Sequence, residues 1–334
     1  MASTPIRILD GPTVRSLLPY AACVDVVRQA MIATSTGRAL LPLRQSMPLP
    51  NGAGALGMMP GYLGEPECFG IKLVSLFPGN RQRGLSAHLG AYLLYEAESG
   101  RPLAMMNAGE LTAIRTAAAS AVATVALMRR DSSRLAILGT AEQARAHLDA
   151  LLAVHAFREI TIWGRRPESA ALLAALARQH QDGRTGLTIS SCPNARDAVA
   201  KADVVCTVTA SQTPVLQGAW LQPGTHVNLV GASFPDRREI DEEGVVRSRF
   251  FVDYRASAMA QAGELLDAIR SGAVTESHIV AEIGAVLAGT AAGRRDASEI
   301  TIYKSLGVAA QDLAAAWHVF QQAEARGLGV TAEL

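Results

Sequence analysis

The sequence has few cysteines, almost no excess of charge and no long apolar run. Its four cysteines, Cys23, Cys68, Cys192 and Cys206, lie far apart. That spacing excludes a disulfide framework and paired metal ligands, so no metal is expected and a reducing cytoplasm is the simple expectation. The formal net charge is +1, which gives no electrostatic footprint for nucleic acid or for an acidic membrane surface. No uninterrupted apolar stretch approaches the roughly 20 residues of a membrane span, and the opening MASTPIRILDGPTVRSLLPY lacks a basic region followed by an apolar core. Neither export nor a membrane anchor is expected. Internal repeats and low-complexity linkers are missing as well. The chain has 334 residues, of which 49% are hydrophobic and 18% charged. It can bury a large core, and its length suits two domains or one with a large elaboration.

What is there centres on residues 134–166. A short apolar run, Leu135-Ala136-Ile137-Leu138, leads into the turn Gly139-Thr140-Ala141-Glu142-Gln143-Ala144, then a helical pattern, then a second run, Ile160-Thr161-Ile162-Trp163. This is a βαβ unit. Its turn falls where a dinucleotide-binding fold needs small residues, so that backbone N–H groups and a helix N-terminus can approach a pyrophosphate. The second and third glycines of that motif are Ala141 and Ala144, and the turn of any doubly wound protein remains the alternative reading. The second strand ends in Trp163-Gly164-Arg165-Arg166, where an NAD site places an acid on the ribose. Two arginines there suit a 2′-phosphate, favouring NADP(H) with NAD(H) as the alternative; a solvated turn is the plain reading.

Strand–helix alternation continues beyond this unit: a helix over 168–181, strands over 186–190 and 203–209, and a strand over 226–230 that ends at Gly231-Ala232-Ser233. Such alternation predicts a parallel sheet with ligands at the carboxyl ends of its strands, which places Thr207, Val208, Thr209 and Ser233 among the candidates. Upstream, residues 40–95 carry short β-like runs broken by glycine, proline and asparagine, predicting a mostly antiparallel sheet. An alanine-rich helix is expected over 117–128. A last helix over 306–325, with an apolar stripe of Leu313, Trp317 and Phe320, is expected to pack back on the N-terminal part.

Three cations sit among apolar neighbours near the β-rich part: Arg44 after Leu40-Leu41-Pro42-Leu43, Lys72 within Gly70–Leu76, and Arg115 within Leu111–Ala117. Any one of them can snorkel to a wet face. Together they can hold a carboxylate, the arginines as forks and the lysine as a point charge able to donate or accept a proton.

With those residues assembled, the chain resembles the ornithine cyclodeaminase/mu-crystallin family over nearly its whole length. The matching stretches are GIKLVSLFPGN (70–80), GLSAHLGAYLLYEAESG (84–100), LTAIRTAAASAVAT (111–124), the βαβ unit, ADVVCTVTASQTPVL (202–216), GTHVNLVGASFPDRREID (224–241) and KSLGVAAQDLAAA (304–316). The resemblance implies an α/β fold, with a Rossmann-type NAD(P)-binding domain over 117–303. A second, α+β domain from residues 1–116 and 304–334 would bind substrate and pair its sheet with another subunit's in a homodimer. It implies that Arg44, Lys72 and Arg115 hold the substrate carboxylate, that Lys72 is the catalytic proton donor, and that His88 lines the same region. Gly139, Thr140, Ala141, Glu142 and Gln143 match the phosphate turn, Arg165 and Arg166 the 2′-phosphate position, Thr207 and Val208 the nicotinamide and ribose edge, and Gly307 a segment near the nicotinamide.

One departure divides the family. True cyclodeaminases carry an Asp where this chain has Ser233, and a hydroxyl cannot pair with an ammonium or act as a carboxylate base. The resemblance is therefore closer to the mu-crystallin type, which implies an NAD(P)H-dependent reductase of small 2-imino acids. The expected substrates are cyclic ketimines such as Δ1-pyrroline-2-carboxylate or Δ1-piperideine-2-carboxylate, reduced to proline or pipecolate. The competing readings are an ornithine cyclodeaminase, an acyclic imino-acid reductase of the alanine dehydrogenase kind, and an NADPH-binding protein with little turnover.

Overall fold

The protein's structure, a computed structural model, describes residues 5–86, 88–179 and 185–333, apart from the side chains of Arg81 and His88. The chain divides into two compact units, one of Met1–Arg115 with Gly307–Leu334 and one of Thr116–Leu306.

The first unit is built on an eight-stranded sheet. From edge to edge it runs Val330–Glu333, Pro5–Leu9, Pro102–Asn107, His88–Glu96, Glu67–Leu76, Ala55–Gly64 and Ala39–Leu40, with Gln45–Pro48 also paired to Ala55–Gly64. Every pairing but one is antiparallel; Pro5–Leu9 runs parallel to Pro102–Asn107. Side chains alternate between faces along a strand, so Cys68, Gly70 and Lys72 are buried while Phe69, Ile71 and Leu73 between them are only half-buried. The buried face is covered by helix Ala309–Arg326, which also packs against helix Tyr20–Ser35. That second helix buries Val24, Val27, Ala30 and Met31 along one face.

Two expectations need correction here. The closing helix buries Ala309, Ala310, Leu313, Ala314, Val319 and Ala323, whereas Trp317 and Phe320 are half-buried and pack on each other with ring centroids 6.1 Å apart. The helix approaches the sheet closely at its start: a Cβ on Gly61 would lie 2.7 Å from the Ala309 methyl and 3.3 Å from Leu313 Cδ1. The helix expected over 117–128 in fact spans Ala108–Leu127. It begins early because the Asn107 side chain accepts the Glu110 N–H at 2.9 Å, an N-cap that sets the first turn. This helix is long and apolar enough to cross a membrane, yet 78% of its most apolar window is buried within the fold.

The second unit holds an all-parallel sheet in the order Thr188–Cys192, Glu159–Trp163, Arg134–Leu138, Val204–Thr207, His226–Leu229, Ile300–Lys304, Ser248–Val252, Ile279–Glu282. Chain direction across the sheet reverses between Arg134–Leu138 and Val204–Thr207, the switch point at which doubly wound sheets open their ligand crevice. The helix expected over 168–181 is Pro167–Gln179, and its last two expected positions lie outside the described residues. The α/β class, with a Rossmann-type unit and a second, mixed unit, is as the sequence implies.

Two histidines are wholly buried in this unit. His147 Nδ1 faces the Gln143 carbonyl at 2.7 Å and Nε2 faces Ser120 Oγ at 2.9 Å, so the ring is neutral with its proton on Nδ1. Burial pushes its pKa down to about 4. His226, bonded to Thr301 Oγ1 at 3.0 Å, is pushed to about 3 by burial and by Arg294. Both folded values lie below the unfolded one, so the stability tied to these groups is complete above about pH 6.5 and is lost as pH falls toward 4. We predict that urea midpoints decline between pH 7 and 5, each histidine contributing up to about 1.4 kcal/mol per pH unit. His147→Gln should remove its share of that slope, and an unchanged slope in the variant would refute the assignment.

Candidate active site

Lys72, Arg115 and Asp312 come together beneath the closing helix. Lys72 stands at the centre of a cross-strand row, opposite Met59 on one side and Tyr92 on the other. Its ammonium donates to both Asp312 oxygens, at 3.1 Å to Oδ1 and 2.9 Å to Oδ2. Arg115 Nε donates to Oδ1 of the same carboxylate at 2.8 Å, and Nη1 donates to Gln311 Oε1 at 2.9 Å. Lys72 and Arg115 are each 3% exposed and Asp312 is fully buried. Arg44, half-buried, donates from Nη2 to the Gly307 carbonyl at 3.0 Å. Gly307 itself has φ +77, and a Cβ there would lie 2.5 Å from Arg115 Nη1. A glycine is required because the guanidinium occupies the space of a side chain.

The cluster carries three cations and one carboxylate. Burial, then Arg115 and to a smaller extent Arg44, push the Lys72 pKa down to about 7, while Asp312 pulls the other way. Burial works against ionising Asp312, but Arg115 and Lys72 outweigh it and hold that carboxyl below its ordinary value. Asp312 is therefore ionised at neutral pH, and the Lys72 ammonium gives up its proton as pH rises through about 7.

The turn after Arg134–Leu138 is built on steric limits. Gly139 has φ +143, and a Cβ there would meet Val208 Cγ2 and the Val208 carbonyl, each at 2.8 Å. Helix Glu142–Val154 starts at Ala141, which offers no side-chain cap; its first N–H groups are thus open to an anion. Thr140 and Gln143 are half-buried and Glu142 is exposed; Gln143 Oε1 is buried with no partner. Gly164 packs on Thr140, where a Cβ would sit 2.4 Å from its methyl, and exposed Arg165 and Arg166 follow directly.

Thr207 is buried, and its hydroxyl donates to Glu239 Oε2 at 2.8 Å. Glu239 also accepts from the Thr209 N–H at 2.7 Å, the Thr209 hydroxyl at 2.6 Å and the Gly231 N–H at 2.6 Å. Burial raises its pKa against these donors. The carboxylate ties the ends of two neighbouring strands. Beyond Gly231, the Ala232 carbonyl accepts from Lys304 Nζ at 2.5 Å, and Lys304 pairs with Glu264 at 3.0 Å, both side chains fully buried. Half-buried Ser233 follows this anchored carbonyl.

Of the residues singled out in the sequence, Arg44, Lys72, Arg115 and Gly307 fall in one cluster of the first unit. Gly139–Gln143, Arg165, Arg166, Thr207 and Val208 line the switch-point end of the second unit's sheet. Gly307 lies against Arg44 and Arg115. His88 is the first residue of its strand, opposite Leu76, and its side chain lies outside the described ones. Sequence reasoning missed Asp312, Gln311 and Glu239. The signal for Asp312 was present: Asp312-Leu313-Ala314-Ala315 places an acid at the head of an apolar run in the helix, and buried acids are paired.

The profile of the ornithine cyclodeaminase/mu-crystallin family matches residues 8–327. The ketimine reductase mu-crystallin of Mus musculus is 35% identical over 284 residues, 85% of each chain. The Thermococcus litoralis Δ1-pyrroline-2-carboxylate reductase, solved with NADH and L-proline, superposes with a TM-score of 0.93 at 33% identity, covering 97% of this chain and 99% of that one. An archaeal alanine dehydrogenase dimer with bound NAD gives a TM-score of 0.91 at 31% identity, over 98% and 99% of the two chains. The match spans the buried cation cluster and the glycine turn alike, and the chain belongs to the ornithine cyclodeaminase/mu-crystallin family.

Proposed function

We propose that the protein is an NAD(P)H-dependent reductase of small 2-imino acids, with cyclic ketimines such as Δ1-pyrroline-2-carboxylate and Δ1-piperideine-2-carboxylate as substrates. The observation that carries this reading is the buried cluster: the Lys72 ammonium held on Asp312, with the Arg115 guanidinium on the same carboxylate and Arg44 on the neighbouring Gly307 carbonyl. The reductase activities of the ketimine and pyrroline-2-carboxylate relatives support it.

The second unit fits a dinucleotide. The Gly139 cradle is one that any Cβ would fill, and the uncapped helix behind it offers N–H groups to a pyrophosphate. Gly139, Thr140, Ala141, Glu142 and Gln143 would form the phosphate turn, and Thr207 and Val208 would border the nicotinamide and ribose. When bound, the reduced cofactor supplies the hydride that ends on the imine carbon. This chain's residues do the rest. Arg44 and Arg115 bind the carboxylate of the imino acid, which fixes the plane of the C=N bond. Lys72 keeps the imine nitrogen protonated, raising the electrophilicity of the carbon, and ends as the neutral amine if it gives up the proton itself. Ser233 stands where a cyclodeaminase would need a carboxylate. The units' division of labour follows: the first for substrate, the second for cofactor. Four free cysteines, none in a disulfide, fit a cytoplasmic location.

A further proposal concerns assembly. On the sheet face turned away from the closing helix, Pro60, Ile71, Leu93 and Met105 form one cross-strand row, beside Met58 and Leu73. All six are half-buried. A contiguous apolar face of this kind suits a second copy of the chain, and the archaeal relative is a dimer.

Purified protein is expected to oxidise NADPH with one of the two cyclic ketimines and to release no ammonia from ornithine. Ornithine-dependent ammonia without any imine-dependent oxidation would overturn the reductase reading; silence in both assays with NADPH still bound would leave a binding protein. Lys72→Ala should lower turnover by about 100-fold or more, and a near-normal rate removes Lys72 from the mechanism. We also propose NADP(H) as the preferred cofactor, held by Arg165 and Arg166. Replacing both with alanine should weaken NADPH about tenfold or more, since each charge-assisted bond contributes on the order of 1.5–3 kcal/mol, while NADH changes little; equal losses would refute the preference. Light scattering should report a dimer, and Ile71→Asp with Leu93→Asp should shift it to a monomer. A wild-type monomer would exclude the pairing.

A further inference from the structure

A buried lysine that hands over a proton must be held on target and must keep its charge until the handover. We propose that Asp312 is the positioning residue for the Lys72 proton: its carboxylate fixes the ammonium in place and keeps it charged beside Arg115 and Arg44. The proposal rests on the role given to Lys72 above.

The geometry is that of a two-point clamp. Both Asp312 oxygens approach the ammonium from the same side, at 3.1 and 2.9 Å, so its N–H groups on the opposite side are left for a substrate nitrogen. Oδ1 is shared with Arg115 Nε, and the adjacent Gln311 holds Arg115 Nη1. Two successive side chains in the first turn of one helix thus set the spacing between the proton donor and a carboxylate-binding guanidinium. Asp312 also benefits from its place near a helix N-terminus, where negative charge is favoured.

The charges around Lys72 make Asp312 decisive. Arg115 on helix Ala108–Leu127 and Arg44 after strand Ala39–Leu40 are cations that disfavour the ammonium. Tyr92 on the neighbouring strand is held neutral by burial, with its phenol pKa pushed well up. Burial likewise raises the thiols of Cys23 on helix Tyr20–Ser35 and Cys68 on the same strand, keeping them neutral. Asp312 is the anion among these groups. Without its charge the ammonium faces two guanidinium groups in a dry site, and the proton leaves at lower pH.

The test is the pH profile of kcat/KM for NADPH-dependent ketimine reduction by wild type, Asp312→Asn and Lys72→Ala. The step needs the ammonium, so the wild-type rate should fall as pH rises through about 7. The same fall in Asp312→Asn should come about one pH unit lower or more, a tenfold deficit at alkaline pH that is largely recovered at acid pH. The substrate's own ionisation is common to all the enzymes and cancels in the comparison. A deficit equal at every pH would overturn the proposal and leave Asp312 a structural residue. Should Lys72→Ala retain normal rates, the proton-donor reading falls first and the proposal falls with it; an inactive Lys72→Ala beside an unshifted Asp312→Asn removes the proposal alone. If Asp312→Asn does not fold, Asp312→Glu decides: a lower kcat with the profile midpoint within about half a unit of wild type supports the role, and a midpoint displaced by a unit or more overturns it.

Discussion

The first unit depends on the ion cluster of Lys72, Arg115 and Asp312. Taking three charges out of water costs several kcal/mol per ion, and their mutual attraction offsets this only with close geometry and satisfied hydrogen bonds. The cluster meets both conditions through contacts of 2.8–3.1 Å and the added acceptor of Gln311. Its members come from a strand, a helix and a second helix 240 residues beyond the first of them. No local segment can assemble such a site, so the charges find their partners only when both ends of the chain have met. Small residues follow from the same demand: Gly61 under Ala309, and Gly307 against Arg115, let backbone approach where a side chain would hold the carboxylate off.

In the second unit the corresponding constraint is steric and lies at the switch point of the parallel sheet. Gly139 is pressed against Val208, and Gly164 against Thr140. Of the two alanines that replace glycines of the motif, Ala141 is exposed at the start of the helix and Ala144 is buried within its first turn. Behind them, Glu239 gathers four donors from Thr207, Thr209 and Gly231, filling the four lone-pair sites of a carboxylate. A single buried acid thus orders two strand ends that are adjacent in the sheet but distant in sequence.

Much of this was legible in the sequence. The period-2 runs of residues 55–96 and the strand–helix alternation after Arg134 reflect burial on one face or on both, which composition records directly. Lys72 and Arg115 stood out because cations among apolar neighbours are costly. Their partner did not, because Asp312 sits in an alanine-rich helix whose expected stripe of Leu313, Trp317 and Phe320 is fully buried only at Leu313. Close packing had selected alanine, and hydrophobic size is a poor guide to a face where backbones nearly touch. Glu239 was hidden for a different reason: its neighbours Arg237 and Arg238 make it look like one more charge on a solvated loop, and only the tertiary fold turns it inward. The helix start at Ala108 was readable, since Asn107 and Glu110 have capping-box spacing.

On the function proposed above, the two units would bind anions in opposite ways, and the difference follows from what each anion must do. A cofactor phosphate has only to be held and released. Exposed arginines and an uncapped helix would suffice for it. The carboxylate of an imino acid must be held beside a group that changes charge during turnover. Exposure would leave a lysine at its ordinary high pKa, unable to part with its proton; full burial without a counter-charge would strip the proton before substrate arrived. Pairing Lys72 with one carboxylate and two guanidinium groups sets it between these limits. The excess positive charge that remains in the cluster is one an incoming carboxylate would neutralise, so binding the acid group of the proposed substrate would favour the ammonium that its imine nitrogen requires.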